Sequence, residues 1–199
     1  MKTDVIRVSS QGDELEAALE QVEKVAAYKG LSSKQSLQLR LLTEEMMGMM
    51  RSLTGEAQGK FWIEDEDGEY RLHLWVLTRM TSVKREELLA ASTSGKNAAV
   101  KGLMSRLRDF FDRGADQDVS YANPLMLAGM YEQSTPSMNL EWSMTRYQSL
   151  LLSQVENRAD GAREAWDELE KSVVAHVADD VRVAINGGEV EMTIVKKMA

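Results

Sequence analysis

Glu44 and Glu45 stand side by side in an otherwise apolar run, LRLLTEEMMGMM, and are the residues best placed for acid–base work. Partial burial of one carboxylate would raise its pKa towards the range of a general base. On a solvated helix face the same pair would do no chemistry. A second candidate is the segment STSGKN at 92–97. A Walker-type phosphate loop needs a glycine five residues before the Gly-Lys glycine and a hydroxyl residue after the lysine. Ala90 and Asn97 stand at those positions, so that motif is excluded. What remains is Gly95, Lys96 and Asn97 leading into a helix predicted from Ala98, where free N–H groups could attract phosphate. An ordinary loop with a capping Ser or Asn is the plainer reading of the segment. His73 and His176 are the only histidines, and neither has an HExxH-type neighbour, which argues against a metal site. No serine sits in a G-x-S-x-G context. Trp62, Trp75, Trp142 and Trp166 are scattered, which suits core or interface packing better than a nucleobase platform.

The elements that must position these residues are legible from periodicity. Leu39, Leu42, Met46, Met49 and Leu53 recur at helical spacing, so 32–54 is predicted to be a long amphipathic helix carrying the acidic pair. Ser32 followed by Gln35 matches a capping box at its start. Before it, Asp4–Ser9 reads as a short strand with Ile6 and Val8 on one face and Arg7 between them. Leu15, Leu19, Val22, Val25 and Ala26 predict a helix to about Tyr28, ended by Gly30 as a left-handed cap. Gly55–Gly59 reads as a loop. Phe61 and Ile63 alternate on the way out, Asp67-Gly68 turns the chain, and Tyr70, Leu72, Leu74 and Val76 return, which predicts a hairpin. A helix is expected at 98–111. Met138–Val155 reads as a short strand running into a helix, and Ala162–Ala178 as one helix with Trp166, Leu169, Val173 and Val177 inward. Val181, Val183 and Ile185, the pair Asn186-Gly187, and Val190, Met192 and Ile194 predict a closing hairpin. Each hairpin has one apolar face. The expected architecture is therefore a single α+β domain, a two-layer sandwich of a mixed or antiparallel sheet with helices on one face. An inserted irregular or helical segment is expected at about 112–160.

Composition excludes several classes of function. A hydrophobic content of 43% suffices for a core. A net charge of −8 argues against a duplex-binding surface, and so against a nucleic-acid partner, but leaves room for a small phosphate ligand. With no cysteine, disulfides and thiolate metal sites are excluded. No apolar run approaches a membrane span and MKTDVIRVSS lacks a signal-peptide core, so a cytoplasmic protein is expected. Thirteen methionines suit core filling, with adaptable contact surfaces as the alternative.

The order strand, helix, helix, hairpin, irregular segment, helix, closing hairpin resembles the GHKL ATPase superfamily, the ATP-binding fold of histidine kinases, anti-sigma serine kinases and gyrase-type ATPases. LRLLTEEMMGMM is similar to its first signature helix, written E-x-x-x-N; STSGKNAAVKGLMSRL to its lid; and DDVRVAINGGEVEMTIVKK to its final strand pair. The resemblance implies a Bergerat-like fold with ATP as ligand. It also implies Glu45 as general base and Gly95, Lys96, Asn97 and Gly102 at the phosphate lid. Two departures bear on it. Met49 stands where the family's Mg²⁺-holding Asn belongs, and a thioether is no ligand for that ion. Counting from Glu44 instead gives Gly48. LTRMTSVKREE contains neither the Asp nor the Gly of the adenine-reading D-x-G-x-G box. The sequence thus leads to a regulatory protein that binds a nucleotide atypically and is kinase-like if active. The alternative is a catalytically silent interaction module holding a protein partner or a second copy of itself.

Overall fold

The computed structural model describes residues 1–9, 14–54, 58–77, 140–186 and 189–198. The predicted helix at 98–111 and the first part of the predicted insertion, 112–139, lie outside them. The elements are β1 (Ile6–Ser9), α1 (Glu14–Tyr28), α2 (Ser33–Thr54), β2 (Gln58–Glu66), β3 (Glu69–Leu77), β4 (Leu140–Ser143), α3 (Met144–Glu156), α4 (Ala162–Glu170), α5 (Val173–Val177), β5 (Asp180–Asn186) and β6 (Glu189–Lys197). Among the described residues six strands form one antiparallel sheet in the order β1-β2-β3-β6-β5-β4. The fold is α+β. Among the described residues, β1-α1-α2-β2-β3 and β4-α3-α4-α5-β5-β6 follow one another as similar units, each ending in a hairpin, and the sheet joins them through β3 and β6.

Local chemistry explains the boundaries. Ser32 N donates to Gln35 Oε1 at 2.9 Å and Gln35 N to Ser32 Oγ at 3.4 Å, so the predicted capping box starts α2. Gly30 closes α1 at φ 63°, with Leu31 N on Ala26 O at 2.9 Å and Gly30 N on Ala27 O at 3.2 Å, the paired bonds of a Schellman end. Asp67 and Gly68 take φ 51° and 84°, the positive values that a two-residue hairpin turn requires.

One apolar face runs across the whole sheet. Val8, Phe61, Ile63, Leu72, Leu74, Met192, Ile194, Val181, Val183 and Trp142 are buried and stand in register. They form one core with Val22 and Val25 of α1, Leu39, Leu42, Met46 and Met49 of α2, and Leu151 of α3. The helix layer covers this face, as the alternation predicts.

Two expectations are corrected. Ala162–Ala178 is two helices, because Ser172 adopts an extended backbone and its hydroxyl accepts from Ala175 N at 3.4 Å, capping a new turn. The break rotates the later residues, so Val174 is buried and Val173 is exposed. The loop read over Gly55–Gly59 ends early: Gln58 and Gly59 belong to β2, where Gly59 pairs with Val8 and Val76. A Cβ at Gly59 would lie 2.6 Å from the Trp75 carbonyl oxygen, so the strands meet there only without a side chain. Gly59→Ala is expected to cost about 1–3 kcal/mol, read as a lowered denaturation midpoint with an unchanged m-value.

Candidate functional site

The acidic pair divides as two adjacent helix positions must. Glu44 joins a surface network, accepting from Arg40 Nε at 3.2 Å while Arg40 also holds Glu23 of α1. Glu45 is half-buried, and burial, with the neighbouring Glu44 charge second, pushes its carboxyl above the usual range. That is the direction a general base needs. Met49 is 2% exposed and lies in the core beside Met46 and Met50, and Gly48 has no side chain. Among the described residues no cluster of His, Asp and Glu could hold a metal ion. Gly95, Lys96, Asn97 and Gly102 lie outside the described residues.

The opposite face of the sheet carries a second constellation. Among the described residues the helices pack on the core face, and the outward positions form cross-strand rows. One row runs Arg7, Lys60, Trp75, Glu191, Ala184, Glu141 from β1 to β4. The next runs Trp62, His73, Thr193, Arg182, Ser143. Trp62 and His73 stack in parallel with centroids 4.8 Å apart. Thr193 Oγ1 lies 3.2 Å from His73 Nδ1, and Glu191 and Glu64 carboxylates lie 3.4 Å and 3.5 Å from Nδ1 and Nε2. Nε2 nevertheless makes no hydrogen bond among the described residues.

The His73 side chain is only 11% exposed. Burial holds its pKa below the ordinary value, and the two glutamates offset this only in part. The folded state therefore takes up its proton later than the unfolded chain as pH falls, so stability drops from about pH 6.5 downward through the lowered folded-state pKa. Thermal melting of the wild type should lose more between about pH 7 and about pH 5 than melting of His73→Phe, which keeps the ring stack without a titrating group. Equal losses in the two proteins would remove His73 from the account.

Lys2, Arg7, Lys60, Trp62 and Trp75 border an open groove of about 570 Å³ on the sheet face across β1, β2 and β3. Lys60 Nζ sits 4.8 Å from the Trp75 ring centroid and Lys2 Nζ 5.3 Å from that of Trp62. Lys2 also pairs with Glu64 at 2.9 Å and holds that carboxyl below the usual carboxylate range. The sequence placed Arg7 between Ile6 and Val8, but the cross-strand register that sets it on one face with Trp62 and His73 is visible only in the sheet.

Comparison with protein-family models, with curated proteins and with solved structures finds no match to this chain. No helix among the described residues is long and apolar enough to cross a membrane.

Proposed function

We propose that this chain is a catalytically silent, regulatory binding module that holds a protein partner on the open face of its sheet. The observation that carries the reading is that face itself, with its stacked indole and imidazole and its cation-edged groove. Aromatic and Arg side chains of this kind supply most of the energy at protein interfaces. The element order remains consistent with a Bergerat-like, GHKL-type scaffold, on which Met49 would replace the metal-holding Asn by an apolar core residue.

A second reading is favoured by one observation, the half-buried Glu45 with its raised carboxyl. On that reading the chain binds ATP or a related nucleotide in a non-standard way. Glu45 would act as base of a kinase-like transfer and Gly95, Lys96, Asn97 and Gly102 as the phosphate lid.

Thermal melting with and without millimolar ATP and Mg²⁺ separates the two. A ligand that binds only the folded state at about 100 times its Kd stabilises by about 2.7 kcal/mol, an unmistakable rise in Tm. The binding-module reading predicts no rise, and a rise abolished by Glu45→Gln establishes the second reading in its place.

A further inference from the structure

We propose that the groove edged by Lys2, Arg7, Lys60, Trp62 and Trp75 is a docking site for an acidic, extended peptide segment of a partner protein. This rests on the reading of the chain as a binding module and names the chemistry of its partner. Charge carries the argument. The chain has a net charge of −8, yet its first two strands set Arg7 and Lys60 side by side in register on the open face. Neither makes an ion pair with a carboxylate among the described residues. Like charges held side by side without counter-charges favour binding carboxylates from outside. Of the acidic groups near the groove, Glu64 is already paired with Lys2.

Shape and aromatic geometry select the occupant. Trp62 has His73 stacked on one face and the Lys2 ammonium over the ring, so it offers a nucleobase no clear platform. The Lys60 ammonium likewise lies over Trp75. Stacking on single-stranded nucleic acid is therefore disfavoured, while the Lys60 ammonium, without a carboxylate partner among the described residues, can still donate to one. The groove lies on the sheet face across β1, β2 and β3, and Val5 lines it with an exposed apolar side chain. An extended chain lying on this face turns every second side chain towards it, so an alternating peptide can set its carboxylates on Arg7 and Lys60.

The test uses the full chain and a fluorescein-labelled peptide of alternating Glu and Val, with the Lys/Val peptide and an oligothymidylate as controls, read by fluorescence anisotropy. Expected is saturable binding of the Glu/Val peptide only, weakened at least about tenfold in Arg7→Glu/Lys60→Glu and weakened also by raised salt. Both side chains are exposed, so the double variant should keep the wild-type circular dichroism and melting temperature. No binding of the Glu/Val peptide, or binding that ignores the charge reversal, overturns the proposal. Tighter binding of the oligothymidylate overturns it in favour of nucleic acid. Light scattering that shows a dimer dissociated by the same double variant overturns it in favour of a second copy. A thermal shift with Mg–ATP would overturn the non-catalytic reading alone, whereas a flat ATP response with failed peptide binding would overturn the groove alone.

Discussion

Replacing Asp180 by alanine is expected to destabilise the protein by about 3 kcal/mol, or roughly 6–12 °C in Tm for a domain of this size. Asp180 is 8% exposed and opens β5. Its carboxylate accepts from Ser143 Oγ at 3.1 Å, Thr145 N at 3.1 Å, Thr145 Oγ1 at 2.9 Å, Val181 N at 2.9 Å and Arg182 Nε at 2.9 Å. One side chain thus joins the β4–α3 junction to β5, and Ser143 uses the same hydroxyl to cap α3. Burial alone would raise this carboxyl. The Arg182 guanidinium, then the Thr145 amide and hydroxyl and the Ser143 hydroxyl, outweigh it and hold the group below its ordinary value. A lowered carboxylate pKa means that the folded state gives up the proton first. The contribution is therefore complete above about pH 3.9 and is lost as pH falls through the lower folded-state value. Asp180→Asn should accordingly differ from wild type near neutrality and converge with it in strong acid. A melting temperature for Asp180→Ala within about 1 °C of wild type would show that the junction is held by something else.

Met49→Asn is expected to cost on the order of 3 kcal/mol and to gain no affinity for Mg²⁺–ATP. The thioether is packed in the core, so the substitution removes apolar contact and buries an amide without a partner. Met49→Leu, close in volume, should cost less than about 1.5 kcal/mol. Denaturant titration measures both. If α2 instead presented this position to a nucleotide pocket, the asparagine would be tolerated as well as the leucine and would bring Mg²⁺-dependent ATP binding. That outcome would restore the family's metal site and contradict the burial of Met49.

What was legible in the sequence was local. Asp67-Gly68 specified a turn through its own backbone preference, Ser32 and Gln35 a helix start through reciprocal hydrogen bonds, and the spacing of Leu39 to Met49 a buried stripe. The misread boundaries are places where a distant partner decides. Gly59 looks like loop punctuation until the close approach of the Trp75 carbonyl is known, and Ser172 breaks a helical pattern that Val173 and Val177 otherwise sustain. The candidate sites divide the same way. The raised carboxyl of Glu45 follows from its place in an apolar helix and is one of the two readings the sequence left open for the pair. The meeting of Arg7, Lys60 and Trp75 depends on the register of three strands, two of them more than fifty residues apart in the chain, and no motif announces it.

The most direct test of the central claim is isothermal titration of ATP with Mg²⁺ into the wild-type chain. A binding module working through its open sheet face gives only dilution heat up to millimolar nucleotide. A saturable, Mg²⁺-dependent heat that disappears in Glu45→Gln would contradict the account and make α2 the working site.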